Sequence, residues 1–172
     1  MTRAGETANT LEEMRNRRCV VNEPDSNSGM NLFRAALAPL AAGARFFQSV
    51  RLSGSHRASL DLVAAGEADV TAVDCVTLAH LQRLEPELTS RLRVIDWTPA
   101  SPCLPFVTSR RTSESVLTAL RAAIAAVFSD PELAPTRKLL FLESVDLSPD
   151  TTFGRVRELE VEAHHWRYPV LL

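Results

Sequence analysis

The sequence predicts an α/β protein: a mostly parallel sheet flanked by helices, ending in a C-terminal helical segment. Three observations predict it. Short β-prone runs alternate with segments of helical periodicity between residues 18 and 97, the pattern of parallel strands joined by crossover helices. Each of the first three runs ends in small polar residues suited to capping the next helix. The composition is that of an ordinary globular chain, 172 residues with 45% hydrophobic and 23% charged, long enough to bury a core.

The elements follow in order. Residues 1–10 are polar and small and read as a frayed start, and Leu11 to Asn16 as a short helix. Arg18 to Val21 is a β-prone run, halted by the turn-forming stretch Asn22-Glu-Pro-Asp-Ser-Asn-Ser-Gly29. Leu32, Phe33, Ala36, Leu37 and Leu40 then recur at helical spacing, with Pro39 and Gly43 ending that helix. Phe47 to Leu52 reads as a second strand. Ser53-Gly-Ser55 is a turn whose last serine caps a helix through Leu60, Val63 and Ala64, closed by Gly66.

Asp69 to Val73 reads as a third strand, Asp74 to Leu84 as a helix, Pro86 to Leu92 as a further turn, and Arg93 to Trp97 as a fourth strand. A proline-rich connector, Thr98 to Pro105, leads to a short fifth strand, Phe106 to Thr108. Ser113 to Phe128 is the clearest amphipathic helix, with Val116, Leu117, Leu120, Ile124, Val127 and Phe128 on one face. Pro131 to Leu139 is a short helix and Leu140 to Leu147 apolar and irregular. Asp150 to His165 is helical with Phe153, Val156, Leu159 and Ala163 inward.

Composition narrows the function classes. The net charge is −2, with 19 basic and 21 acidic residues, so nothing drives general binding to nucleic acid or an anionic membrane. No apolar run reaches the ~18 residues of a membrane span, so an integral membrane protein is not expected. The first thirty residues show no signal-peptide pattern. Cys19, Cys75 and Cys103 lie far apart without zinc-ligand spacing and read as small buried hydrophobes. No metal or cofactor is expected. His164 and His165 suit a helix C-terminus, His80 a helix surface, and Trp97 the core or a hinge.

In open α/β sheets, ligands bind where strands lead into helices. Three such loops carry polar side chains. In the first, Ser26 and Ser28 offer hydroxyls, Asn27 an amide, and Gly29 a close backbone approach, beside the free N–H groups of a helix start. In the second, His56 and Arg57 follow Ser55 in a first helical turn. In the third, Asp74 can accept from a ligand hydroxyl or a protonated oxygen of a tetrahedral anion. Each loop also reads as a plain helix cap; together they form an oxyanion cradle. A hydrolase triad of Ser55, His56 and Asp74 is not supported, since adjacent side chains diverge at a helix start and no GxSxG elbow is present.

Four segments taken in order, Val21-Asn-Glu-Pro-Asp-Ser-Asn-Ser-Gly-Met-Asn31, Ser53-Gly-Ser-His-Arg-Ala-Ser-Leu60, Gly66-Glu-Ala-Asp-Val70 with Ala72-Val-Asp-Cys75, and Leu104-Pro-Phe-Val107, resemble the phosphate, phosphite and phosphonate substrate-binding proteins of ABC transporters. This is the PhnD-like group, with the type II periplasmic binding fold. The resemblance implies a ligand-binding lobe over 18–128, a lead over 1–17, and a segment 129–172 that packs on a first lobe not included here. It implies oxyanion contacts from Ser26, Asn27, Ser28, Gly29, His56 and Asp74, with Asn27 where the family more often has Thr. It implies a permease partner, a periplasmic location and no catalysis. A cytoplasmic ligand-sensing or interaction domain of the same fold, or a product truncated at the gene or at a misplaced start codon, are the alternatives.

Overall fold

Strand β2, Arg18–Val21, organises the fold because Cys19, Val20 and Val21 are all fully buried. Successive side chains on a strand point to opposite faces, and β2 follows that rule. Cys19 and Val21 join a cluster built on Phe33, Leu37, Phe46 and Phe47, whereas Val20 joins one built on Leu60, Val63, Leu81 and Leu92. Helices therefore cover both faces, the arrangement of an α/β layer structure. This computed structural model describes residues 1–147 and 153–171. They fall into two compact units, Met1–Pro102 with Phe153–Leu172, and Cys103–Thr152.

In the first unit β2 pairs in parallel with β3, Ser49–Leu52, from Arg18–Ser49 to Val21–Leu52. The two strands end together, and the backbone N–H groups of Ser53 and Gly54 donate to the carbonyls of Val21 (3.0 Å) and Asn22 (2.9 Å). Helix α1 is Leu32–Ala41, α2 His56–Ala64, α3 Cys75–Leu84 and α4 Pro86–Thr89. Helix α7, Gly154–His165, buries Leu159 and Ala163, and Tyr168 and Leu171 beyond it join the Phe33 cluster. The Arg34 guanidinium ties this tail to α1 through the Pro169 carbonyl.

Among the described residues the strands form two two-stranded sheets, one parallel and one antiparallel, where the sequence predicts one mostly parallel sheet. On the other edge of β2 the expected third strand contributes one parallel bridge, Cys19–Val70. Backbone bonds join Asp69 and Val70 to Arg18 and Val20, but Thr71 exchanges both of its backbone groups with Met1, which ends the ladder. Before it, the Asp69 carboxylate takes the Arg18 backbone N–H at 2.9 Å and the Arg18 guanidinium at 2.8 and 3.0 Å. The expected fourth strand is reduced to β4, Leu92–Arg93, antiparallel to β1, Thr2–Arg3. Phe106 to Thr108 forms no strand, and Phe106 and Val107 are exposed.

Other expectations shift as well. Pro39 lies inside α1 rather than ending it; the helix stops at Ala42 and Gly43, both at positive φ (49° and 80°). Leu11 to Asn16 holds only a 3₁₀ turn, Glu12–Met14. Cys19 is buried as expected, but Cys75 and Cys103 are exposed, and Trp97 is 72% exposed rather than core. The start of the helix read from Asp150 lies outside the described residues.

The second unit holds α5, Glu114–Ser129, a 3₁₀ turn at Pro131–Leu133, and α6, Ala134–Leu139. Ser113 caps α5 by accepting the Val116 N–H. None of its described residues is buried, so the apolar face read on α5 leaves Val116, Leu120 and Val127 exposed. Among the described residues no helix is long and apolar enough to cross a membrane.

Candidate functional site

The parallel ends of β2, β3 and the 69–73 segment bring the three strand-to-helix loops together. The first loop closes into a π-helical turn, Asn27–Asn31, that runs directly into α1. Ser26 starts it: its hydroxyl accepts the Gly29 N–H at 3.0 Å while its carbonyl accepts from both Met30 and Asn31. The second loop starts α2 with Ser55, whose hydroxyl accepts the Ala58 N–H at 3.1 Å. The third starts α3 with Asp74, whose carboxylate accepts the Thr77 N–H at 2.8 Å. Each helix start leaves further backbone N–H groups without intrahelical acceptors and carries the positive end of the helix dipole.

Ser28 and His56 join the first two loops, with Ser28 Oγ 3.0 Å from His56 Nε2. Burial pushes the His56 pKa below the usual histidine range, while the Asp74 carboxylate, the Ala72 backbone and Glu23 pull the other way. The ring is therefore biased toward its neutral form. The Ala72 backbone lies close to it, yet Nδ1 is buried and makes no hydrogen bond. Asp74 thus acts on His56 through its charge, and its carboxylate also holds α3.

The other expected residues divide. Gly29 is buried between loops, and its φ is not positive. A Cβ there would fall 1.8 Å from Asn22 Oδ1 and 3.1 Å from His56 Cε1, so a side chain at this position has to displace the Asn22 amide. The Asn27 amide is engaged with the protein: its Nδ2 donates to Ser101 Oγ at 2.8 Å and its Oδ1 accepts from Asn31 at 3.1 Å. Arg57 is held by Asp61 at 2.6 Å and Glu85 at 2.7 Å, away from any role as a free cation. Ser101, in the connector, and Asn22, at the end of β2, were not singled out by the sequence. A polar residue ending a buried strand was the available signal for Asn22.

A Ser55, His56, Asp74 triad does not form, because the Ser55 hydroxyl and the Asp74 carboxylate each cap a helix. Ser28 meets His56 instead, where the first two loops adjoin. Among the described residues no group of three His, Cys, Asp or Glu side chains is placed to hold a metal. The arrangement sets hydroxyl and backbone N–H donors and one histidine at two helix starts, with the Asp74 carboxylate at the third; the donors suit an anion.

A family model described as ABC transporter, phosphonate, periplasmic substrate-binding protein matches residues 1–146. Among solved structures, XAC2383 from Xanthomonas citri resembles the chain at 20% identity, with TM-scores of 0.67 for its chloride-bound form and 0.68 for its ATP-bound form. A binding protein component of an ABC phosphonate transporter from Pseudomonas aeruginosa, PA3383, resembles it at 19% identity and a TM-score of 0.61. Each likeness covers 96% of this chain, and the chain spans 64–65% of the length of those structures. At such identity they establish the fold. No curated protein matches.

Proposed function

Because the chain belongs to the family of ABC transporter phosphonate periplasmic substrate-binding proteins, we propose that it carries the anion-binding loops of such a protein and takes a small tetrahedral oxyanion, phosphate or a phosphonate, without catalysis. The observation that carries this reading is the Ser28–His56 contact, 3.0 Å long, where the starts of the π-turn and α2 meet. The free N–H groups of the first loop and the Ser26 and Ser28 hydroxyls serve the anion's oxygens, and His56 adds a donor once protonated. Asp74 accepts from a protonated oxygen and so favours phosphate or phosphonate over sulfate, which has none at neutral pH. Asn27 contributes its backbone N–H and, through Ser101, fixes the loop. Gly29 supports the loop from below.

The same reading places an ABC permease as partner and the periplasm as location. It treats the parallel pair and the Val70 bridge as part of the mostly parallel sheet of a type II lobe. The domain reading of 18–128 as the ligand lobe belongs to the same proposal, as does a first lobe against 129–172, whose Ala163, Tyr168 and Leu171 are already packed on the Phe33 cluster. The ATP named with the Xanthomonas citri structure ends in the same tetrahedral chemistry.

Isothermal titration with phosphate, methylphosphonate, ATP and sulfate tests it. Binding of phosphate or methylphosphonate, weakened at least about tenfold by Ser28→Ala or His56→Ala, is expected, since a charge-assisted hydrogen bond contributes about 1.5–3 kcal/mol. No heat with any of the four, or affinities untouched by both substitutions, overturns it.

A further inference from the structure

Asn22 sits at the end of β2, where its carbonyl accepts the Gly54 N–H at 2.9 Å and so binds the second loop to the strand. Its side chain is only 9% exposed as part of the residue, and Oδ1 has no hydrogen-bond partner. His56 Nδ1 is the other buried atom of this region without a well-formed hydrogen bond, the Ala72 backbone lying beside the ring. The two groups are neighbours: Asn22 Oδ1 and the His56 ring carbon between the two nitrogens lie 1.8 and 3.1 Å from one point, the position a Gly29 Cβ would take. Leaving a buried polar atom without a partner is costly, so two side by side with complementary chemistry have reason to pair. A carboxamide oxygen only accepts. Nδ1 satisfies it only as N–H.

Resting on the oxyanion-site reading above, we propose that Asn22 is a positioning residue: its Oδ1 accepts the His56 Nδ1 proton after a small turn of the ring, fixing the tautomer that leaves Nε2 free for Ser28 and the ligand. The hydrogen bond on one imidazole nitrogen decides the state of the other. With Nδ1 protonated, Nε2 accepts the Ser28 hydroxyl in the free protein and becomes a donor when His56 gains a second proton. Neutrality of the partner matters. The charged groups acting on His56 are Asp74, at the start of α3, and Glu23, in the loop after β2. A third carboxylate at position 22 would hold the ring charged, whereas Asn22 keeps it neutral until an anion favours protonation.

The test is imidazole ¹⁵N NMR on ligand-free protein across pH, with His56→Ala assigning the His56 signals among four histidines. The wild type is expected to show Nδ1 protonated and Nε2 bare. Asn22→Leu, of similar shape without the acceptor, is expected to mix the tautomers. Asn22→Asp is expected to raise the His56 pKa by about one unit or more, the size of effect of a close carboxylate. A wild-type spectrum with Nδ1 bare overturns the proposal without any variant, whether or not the variants fold. An unchanged tautomer and pKa in folded Asn22→Leu and Asn22→Asp overturns it too. Phosphate and methylphosphonate titrations of the same samples keep the two readings apart: absent binding removes the anion site, whereas the tautomer result bears on Asn22 alone.

Discussion

At Gly29 the nearest obstacle to a side chain is the Asn22 amide, with Oδ1 at 1.8 Å and Cγ at 2.9 Å from the Cβ position. Gly29→Ala must displace that amide from a site already full, or open the loop. Overpacking of this kind costs about 1–3 kcal/mol, and urea unfolding of Gly29→Ala is expected to show a loss in that range. A variant as stable as wild type would show that the loop relaxes freely. The sequence read Gly29 as room for a ligand, since a glycine in a strand-to-helix loop permits close approach. It could not see Asn22, seven positions earlier, because that contact exists only once β2 and the π-turn are folded against each other. The same limit applies to Asn27: its residue type suggested a ligand donor, while its partners, Ser101 and Asn31, depend on where the connector returns.

At the level of elements, helix starts and the first two strands were legible, and the later strands were not. Ser26, Ser55, Asp74 and Ser113 all cap as local chemistry dictates, because an N-cap needs only a short polar side chain and the next turn. A strand needs a neighbour. The 69–73 segment has β-prone residues, but Thr71 gives its backbone groups to Met1, and Asp69 takes the Arg18 N–H and guanidinium into side-chain bonds. Those bonds, led by the Arg18 side chain and helped by Arg3, hold the Asp69 carboxyl down at about 2 from its ordinary 3.8. A depressed folded pKa means stability that is present above about pH 4 and lost as pH falls toward 2. With Arg18 partly exposed, its size is on the order of 1–2 kcal/mol. Unfolding free energies measured from pH 6 to pH 2 are expected to fall more steeply for wild type than for Asp69→Asn. Parallel slopes would mean that the network contributes nothing.

At the scale of the whole molecule, the first unit is closed by residues distant in sequence: Ala163, Tyr168 and Leu171 return to the cluster around Phe33 and Phe47. The second unit has no buried residue among those described. Local stability follows burial, so hydrogen exchange is expected to give the amides of α5 and α6 at least about tenfold less protection than those of β2, α1 and α2. Equal protection would show that α5 is covered in solution. The sequence by itself determined the α/β class, the positions of the capped helices and the family, because periodicity, caps and motif order are local properties of the chain. Tertiary structure alone decided that the strands form two small sheets, that Ser28 meets His56, that Asn27 serves the connector, and that Asn22 packs against the first loop. Those outcomes depend on which segments become neighbours when β2 is buried from both faces, and no local pattern encodes them.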